Sequence, residues 1–277
     1  MAPAFVDTHA HIQGPEFQAD INATIERARS AGVNTIVVPG VDAETSEAAA
    51  RLADRFPHVY FAAAYHPHEA SRLDATTLDR VRRLLSHPKA VAVGEIGLDY
   101  YRMHSPPREQ LAAFDAMLDL ARESLRPVIV HCRDAQEDVF QKLTTWSMRN
   151  RPTYGAGPLG VMHYFSGTPQ DALHYVELGF LISIHTSVTH PKAYQLRQVV
   201  AELPLDALVI ETDSPYGAPQ SVRGKRNEPA FVVEAAARIA EVRGLTVDEV
   251  ARATSSNAAR LFRLPLAAAS GAIGAPA

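Results

Sequence analysis

The chain has 277 residues, 47% of them hydrophobic and 21% charged, an ordinary globular balance in a chain long enough to bury one large core. A net charge of −4 excludes a broad basic surface for gripping nucleic acid, and the single cysteine, Cys132, excludes an internal disulfide and points to a reducing, cytoplasmic setting. No apolar run is long enough to cross a bilayer, and the start, Met1 to Asp7, lacks a basic segment followed by an apolar core, so neither membrane insertion nor a secretory signal is expected.

Short β-rich runs alternate with longer helix-like stretches along the chain. Strands are expected at 4–7, 33–39, 59–64, 90–93, 127–130, 160–162, 180–184 and 207–210. These runs are continuous Val, Ile and Ala rather than alternating, as strands covered on both faces must be. Between them lie amphipathic stretches such as 106–122, with Leu111, Phe114, Leu118 and Leu120 on apolar spacings. Eight β-then-α units without a midpoint linker predict an α/β fold, a single (β/α)8 TIM barrel over residues 1–265, in preference to an open sheet. An extra C-terminal helix runs from Thr246 to Phe262, opened by the capping box Thr246-Val-Asp-Glu249. Residues 266–277 are Ala- and Gly-rich and uncharged, and are expected to form a disordered tail. The stretch from Asn150 to Pro158 reads as a long loop. Within and beyond it, Gly155-Ala-Gly157-Pro-Leu-Gly160 imitates a dinucleotide-binding glycine pattern but precedes a strand instead of following one, so it is also a loop.

In such barrels the site is built where strands end and loops begin. Those ends carry Asp7-Thr-His9-Ala-His11, His66-Pro-His68-Glu69, Gly94-Glu95-Ile-Gly-Leu-Asp99-Tyr100, His131-Cys-Arg133-Asp134, His163-Tyr-Phe-Ser166 and Glu211-Thr-Asp213-Ser-Pro215. His9 and His11 are two apart on an extended segment and project to one side, so both imidazoles reach one cation. With His131, His163, Glu95 and Asp213 on the same rim, the set exceeds what one tetrahedral ion needs. Two divalent ions about 3.5–4 Å apart, with Glu95 as the bridging carboxylate, fit it better. Mixed imidazole and carboxylate ligation leaves Mg, Mn and Zn open. Asp213 is then placed to take a proton from a metal-activated water.

These motifs, with Arg223-Gly-Lys-Arg-Asn227 and the closing Asn257-Ala-Ala-Arg-Leu-Phe262, resemble in serial order the TatD family of metal-dependent deoxyribonucleases, which are amidohydrolase-like TIM barrels. The resemblance covers about residue 5 to Phe262. It implies a first ion held by His9, His11, Glu95 and Asp213, and a second held by Glu95, His131 and His163. His66 would meet a substrate phosphate, helped by Arg133 and the Arg223 loop. The catalytic residues would be Asp213 and Glu95. The chain departs from the family at Gly217, where a longer apolar residue is common, and over Ser187 to His190.

The reaction expected is hydrolysis of phosphodiester bonds in DNA, from a 3' end, on single-stranded or frayed substrate, by a monomer. Hydrolysis of a small amide, lactone or phosphoester in the same fold is the alternative, and a metal-binding protein without turnover a third. Glu69, Asp99 and Asp134 are expected to orient ligand imidazoles or cap helices. Tyr100, Tyr101, Phe165 and Tyr216 are candidates for stacking on bases. Cys132 is read as a small buried apolar residue. His185 is an outside candidate on the rim, and His58, His87, His104, His174 and His190 are read as solvated.

Overall fold

The computed structural model describes residues 4–265; the tail from Leu266 to Ala277 lies outside them. Eight strands form one sheet in chain order, every neighbouring pair parallel: β1 (Phe5–Asp7), β2 (Val33–Pro39), β3 (Val59–Ala63), β4 (Ala90–Asp99), β5 (Val128–Arg133), β6 (Gly160–Met162), β7 (Phe180–His185) and β8 (Leu208–Glu211). Backbone bonds from Thr8 to Ile210 (3.1 Å) and from Asp213 to His9 (2.8 Å) join the last strand to the first, so the sheet curls into the expected barrel. The outer layer is α1 (Ile21–Ser30), α2 (Ala43–Arg55), α3 (Ala75–Leu84), α4 (Pro107–Ser124), α5 (Gln136–Tyr154), α6 (Pro169–Leu178), α7 (Tyr194–Glu202) and α8 (Val232–Arg243), followed by α9 (Val247–Phe262). Thr246 caps α9 through the expected box with Glu249.

The barrel interior takes an apolar residue from every strand, and two from β4: Val6, Val37, Ala62, Val91, Ala92, Ile129, Val161, Leu181 and Val209. Leu261 and Phe262 of α9 pack into the same cluster. Asn257 fixes α9 across the amino ends of the strands by donating to the carbonyls of Leu205 (2.9 Å) and Leu208 (2.8 Å). One end of the barrel is therefore plugged by hydrocarbon, and the polar strand ends are gathered at the other.

Two expectations are corrected. β4 runs past Val93 to Asp99, and β5 past Val130 to Arg133, so Glu95 and His131 lie within strands rather than after them. Gly97 is demanded by close approach: its φ is +139°, and any Cβ there would collide with the carbonyl of His131, its partner in β5. Asn150 to Tyr154 is helical, not loop. Pro152 stands in the last turn of α5, and the buried Tyr154 hydroxyl donates to the carbonyls of Ala121 and Arg126, both at 2.8 Å, holding that turn in place.

Candidate metal centre

Glu95 is the hub of the polar end. Its Oε1 lies 2.9 Å from Nδ1 of His131, 3.4 Å from Nε2 of His66 and 3.5 Å from Nε2 of His163. Its Oε2 lies 3.3 Å from Nε2 of His9 and 3.5 Å from Nε2 of His11. The two imidazoles expected to share an ion do converge, with Nε2 atoms 3.0 Å apart. Asp213 Oδ1 stands 3.8 Å from His9, 3.7 Å from His11 and 3.9 Å from His163. It is held in the left-handed region, φ +58°, which a short polar side chain tolerates at some cost.

Three groups bring ligand atoms within 4.8 Å of one another: His9 with His11 and Asp213, His9 with Glu95 and His163, and His66 with Glu95 and His131. Glu95 joins two of these groups, one on each side. His66 thus comes closer to Glu95 than a purely substrate-facing residue needs. Its tautomer separates the two roles. Nδ1 of His66 accepts the backbone N–H of His68 at 3.1 Å, so the neutral ring carries its proton on Nε2 and presents a donor, not a lone pair. His131 is the reverse case: its Nε2 meets Asp99 Oδ2 at 3.1 Å, leaving Nδ1 toward Glu95.

The charge balance of these residues fits divalent cations. Burial, followed by the charge of neighbouring imidazoles, lowers His9 to about 3 and His163 to about 3. They are therefore neutral at physiological pH, the form that ligates metal. Burial drives Asp213 well above the usual carboxylate range, and the charges of Glu95, Glu211 and Asp7 add to it. Burial opposes ionisation of Glu95 too, but the surrounding imidazoles hold it well below the ordinary value. Carboxylates crowded against the neutral rings of His9 and His163 are relieved by positive charge placed among them.

A cleft of about 860 Å³ opens over these groups, lined by His11, His66, Glu95, His131, His163 and Asp213. Arg133 borders it, with its guanidinium 3.9 Å above the ring of Tyr101, and Arg102 borders it as well. Tyr101 and Tyr216 are exposed, whereas Tyr100 is tied to Asp138 (2.6 Å) and Phe165 is buried. Arg223 is exposed and does not line the cleft. Its neighbour Arg226 is engaged elsewhere, paired with Asp20 (2.7 Å) and Glu228 (2.8 Å) and set 4.4 Å above Phe17. The basic loop is therefore partly a structural clamp. Cys132 is half-buried and borders both this cleft and a smaller apolar crevice between α5 and α6.

Of the three acids expected behind the ligands, only Asp99 stands there. Glu69 pairs with Arg72 (2.9 Å), and Asp134 is exposed while the α5 N-cap is Ala135, which makes no side-chain cap. Two acids received no role from the sequence. Glu211 Oε1 accepts the Tyr164 N–H at 2.7 Å and lies 3.0 Å from Nδ1 of His163, though too poorly aligned for a hydrogen bond. Asp7 accepts from the Thr212 backbone (2.9 Å) and hydroxyl (2.6 Å), lacing β1 to β8 below the ligands. Period-two spacing is the signal that points to both: Glu211 precedes Asp213 by two residues, and Asp7 precedes His9 by two, so each shares its partner's face. His185 is buried, with its ring stacked on Tyr164. Of the histidines read as solvated, only His104 is exposed; the others are half-buried.

Residues 6–263 match the family model described as TatD related DNase. The chain is 38% identical to an uncharacterized metal-dependent hydrolase, YabD, of Bacillus subtilis, over 93% of this chain and 98% of that one. This chain belongs to the TatD family. It is 35% identical to the 3'-5' ssDNA/RNA exonuclease TatD of Erwinia billingiae, over 94% and 99% of the two chains. The crystal structure of YJJV, a TatD homologue from Escherichia coli K12, superposes with a TM-score of 0.87 at 33% identity, covering 96% of this chain and all of that one. The chain is accordingly a metal-dependent hydrolase with a TIM-barrel fold. Among the described residues, no helix is long and apolar enough to cross a membrane.

Proposed function

We propose that this TatD-family enzyme removes nucleotides from the 3' end of single-stranded DNA, using two divalent ions held around Glu95. The observation that carries the reading is the two-sided use of the Glu95 carboxylate: Oε2 faces His9 and His11, while Oε1 faces His131, His163 and His66. The relatives named as 3'-5' ssDNA/RNA exonucleases support the direction of attack and the substrate class.

His9, His11 and Asp213 would hold one ion and His131 and His163 the other, with Glu95 between them. When bound, such ions neutralise phosphate charge and activate water. The residues themselves do the rest. Asp213, ionised once cations surround it, accepts the proton of the attacking water. His66 presents its Nε2–H to a phosphate oxygen. Arg133, braced on Tyr101, grips a neighbouring phosphate with its planar fork. Its single cysteine is the ground for assigning the enzyme to the cytoplasm.

The test is a time course on 5'-labelled single-stranded DNA with Mg, Mn or Zn added to the chelator-treated protein. Stepwise shortening from the 3' end is expected, with loss of activity in Asp213→Ala. Turnover that survives Asp213→Ala overturns the mechanism, and turnover of lactones or amides with DNA untouched overturns the substrate.

A further inference from the structure

Tyr164 follows His163 at the end of β6, and four contacts fix it. Its backbone N–H is bound by Glu211 at 2.7 Å, its ring stacks on His185 at 3.7 Å and 11°, and its hydroxyl meets Ser187 Oγ at 3.1 Å. The fourth contact is with a residue lacking a side chain. A Cβ built on Gly217 would stand 2.9 Å from the Tyr164 hydroxyl and 3.2 Å from its Cε2, and Gly217 itself has φ +61°. The ring cannot swing aside cheaply, because His185 and Ser187 hold it. Any larger residue at 217 would displace it.

The half-buried ring borders the catalytic cleft together with Asp213, Pro215 and the 62%-exposed Tyr216. We propose that Tyr164, seated by Gly217, is the wall of a subsite for a nucleobase beside Asp213; this rests on the nuclease reading above. An uncharged flat ring suits the place, and stacking suits every base because each has a π-face. The ring is already fixed by its neighbours, so little conformational freedom is lost when a base settles on it. Tyr216, the chain neighbour of Gly217, supplies a second aromatic border to the same space.

The experiment compares two single-stranded oligonucleotides that differ only in whether the 3'-terminal nucleotide carries a base or is abasic. In the wild type, kcat/KM is expected to favour the base-bearing end by about tenfold, mainly through KM, within the range for base-on-aromatic stacking. Tyr164→Ala should bring that ratio close to one, and Tyr164→Phe should keep it. Gly217→Ala should lower it, while Gly217→Ala combined with Tyr164→Ala should lower it no further than Tyr164→Ala alone, because the colliding group is gone. A ratio near one in an active wild type, a ratio kept by Tyr164→Ala, or additive losses in the pair overturns the subsite while leaving the nuclease reading intact. A wild type that shortens neither oligonucleotide overturns the nuclease reading, and the subsite with it.

Discussion

Nε2 of His131 lies 3.1 Å from Oδ2 of Asp99, and the same oxygen also receives His68 at 2.9 Å. The other Asp99 oxygen accepts the backbone N–H groups of Tyr101 (3.0 Å) and Arg102 (2.7 Å). A carboxylate so held fixes which nitrogen of His131 carries the proton and which faces Glu95. Asp99→Asn should weaken divalent-ion binding by about 10–100-fold, the usual cost of losing a partner behind a metal ligand. Calorimetric titration of the ion-free protein with Zn or Mn reads this directly. Affinity within twofold of the wild type would remove Asp99 from the role.

The ion-free protein should lose stability as pH rises from 7 to 9. Burial raises Asp7 to about 8, partly offset by its bonds to Thr212, and Asp213 is also raised by burial. Burial would lower His131, but Asp99 and Glu95 outweigh it and lift it to about 9. Asp7 and His131 hold protons in the folded state that the unfolded chain has largely released by pH 7, and the raised Asp213 acts in the same direction. Their stabilisation is complete below the unfolded values and fades as pH climbs through the folded ones, at up to about 1.4 kcal/mol per pH unit per group. His9 and His163, neutral in both states here, contribute no slope in this window. Divalent ions replace those protons, so the gap in melting temperature between loaded and ion-free protein should widen over the same range. Melts at several pH values, with chelator and with ion, check both trends; an ion-free melting temperature that rises with pH contradicts the first.

Asn227 ties the loop after β8 to the barrel. Its Nδ2 donates to the Thr212 carbonyl (2.8 Å), the Tyr216 carbonyl (2.7 Å) and Thr186 Oγ1 (3.1 Å), and its Oδ1 accepts from Glu228 N (2.9 Å). Asn227→Ala leaves buried carbonyls unpaired and should cost about 1–3 kcal/mol. Asn227→Asp should cost more, since it sets a carboxylate against those acceptors. Denaturant titration ranks the two variants, and an aspartate variant as stable as the wild type would refute the bonding scheme.

Cys132 should be a sluggish thiol. Burial pushes it up to about 12, with the nearby Asp134 and Asp99 charges adding to the effect. Little thiolate exists at pH 8, so modification by a disulfide reagent should run orders of magnitude slower than for a free cysteine of ordinary acidity. A rate matching that of free cysteine would show the thiol to be far more acidic than its surroundings imply.

The barrel and the convergence of polar residues on Glu95 were legible in the sequence for one reason: the strand bodies are largely apolar, and most strands then present a His, Asp or Glu. What escaped depended on partners far away in the chain. Arg226 reads as part of a basic loop until Asp20, 206 positions earlier, is seen to hold it. β4 read as ending near Val93 because nothing local reveals the backbone of β5 pressing against Gly97. The role of Gly217 stayed hidden for the same reason: it shows only once Tyr164 is seen lying against it. Cys132 was expected to be buried, but its place at the seam of two cavities leaves it half open.

The plug formed by Leu261 and Phe262 has a further consequence. With the interior filled by side chains from every strand and the opposite end stoppered, the barrel is a cup, not a tube. A polymer cannot be threaded through it like cord through a ring. It must dip a terminus in and withdraw by the way it came, and each detached fragment has to leave past the strand that remains.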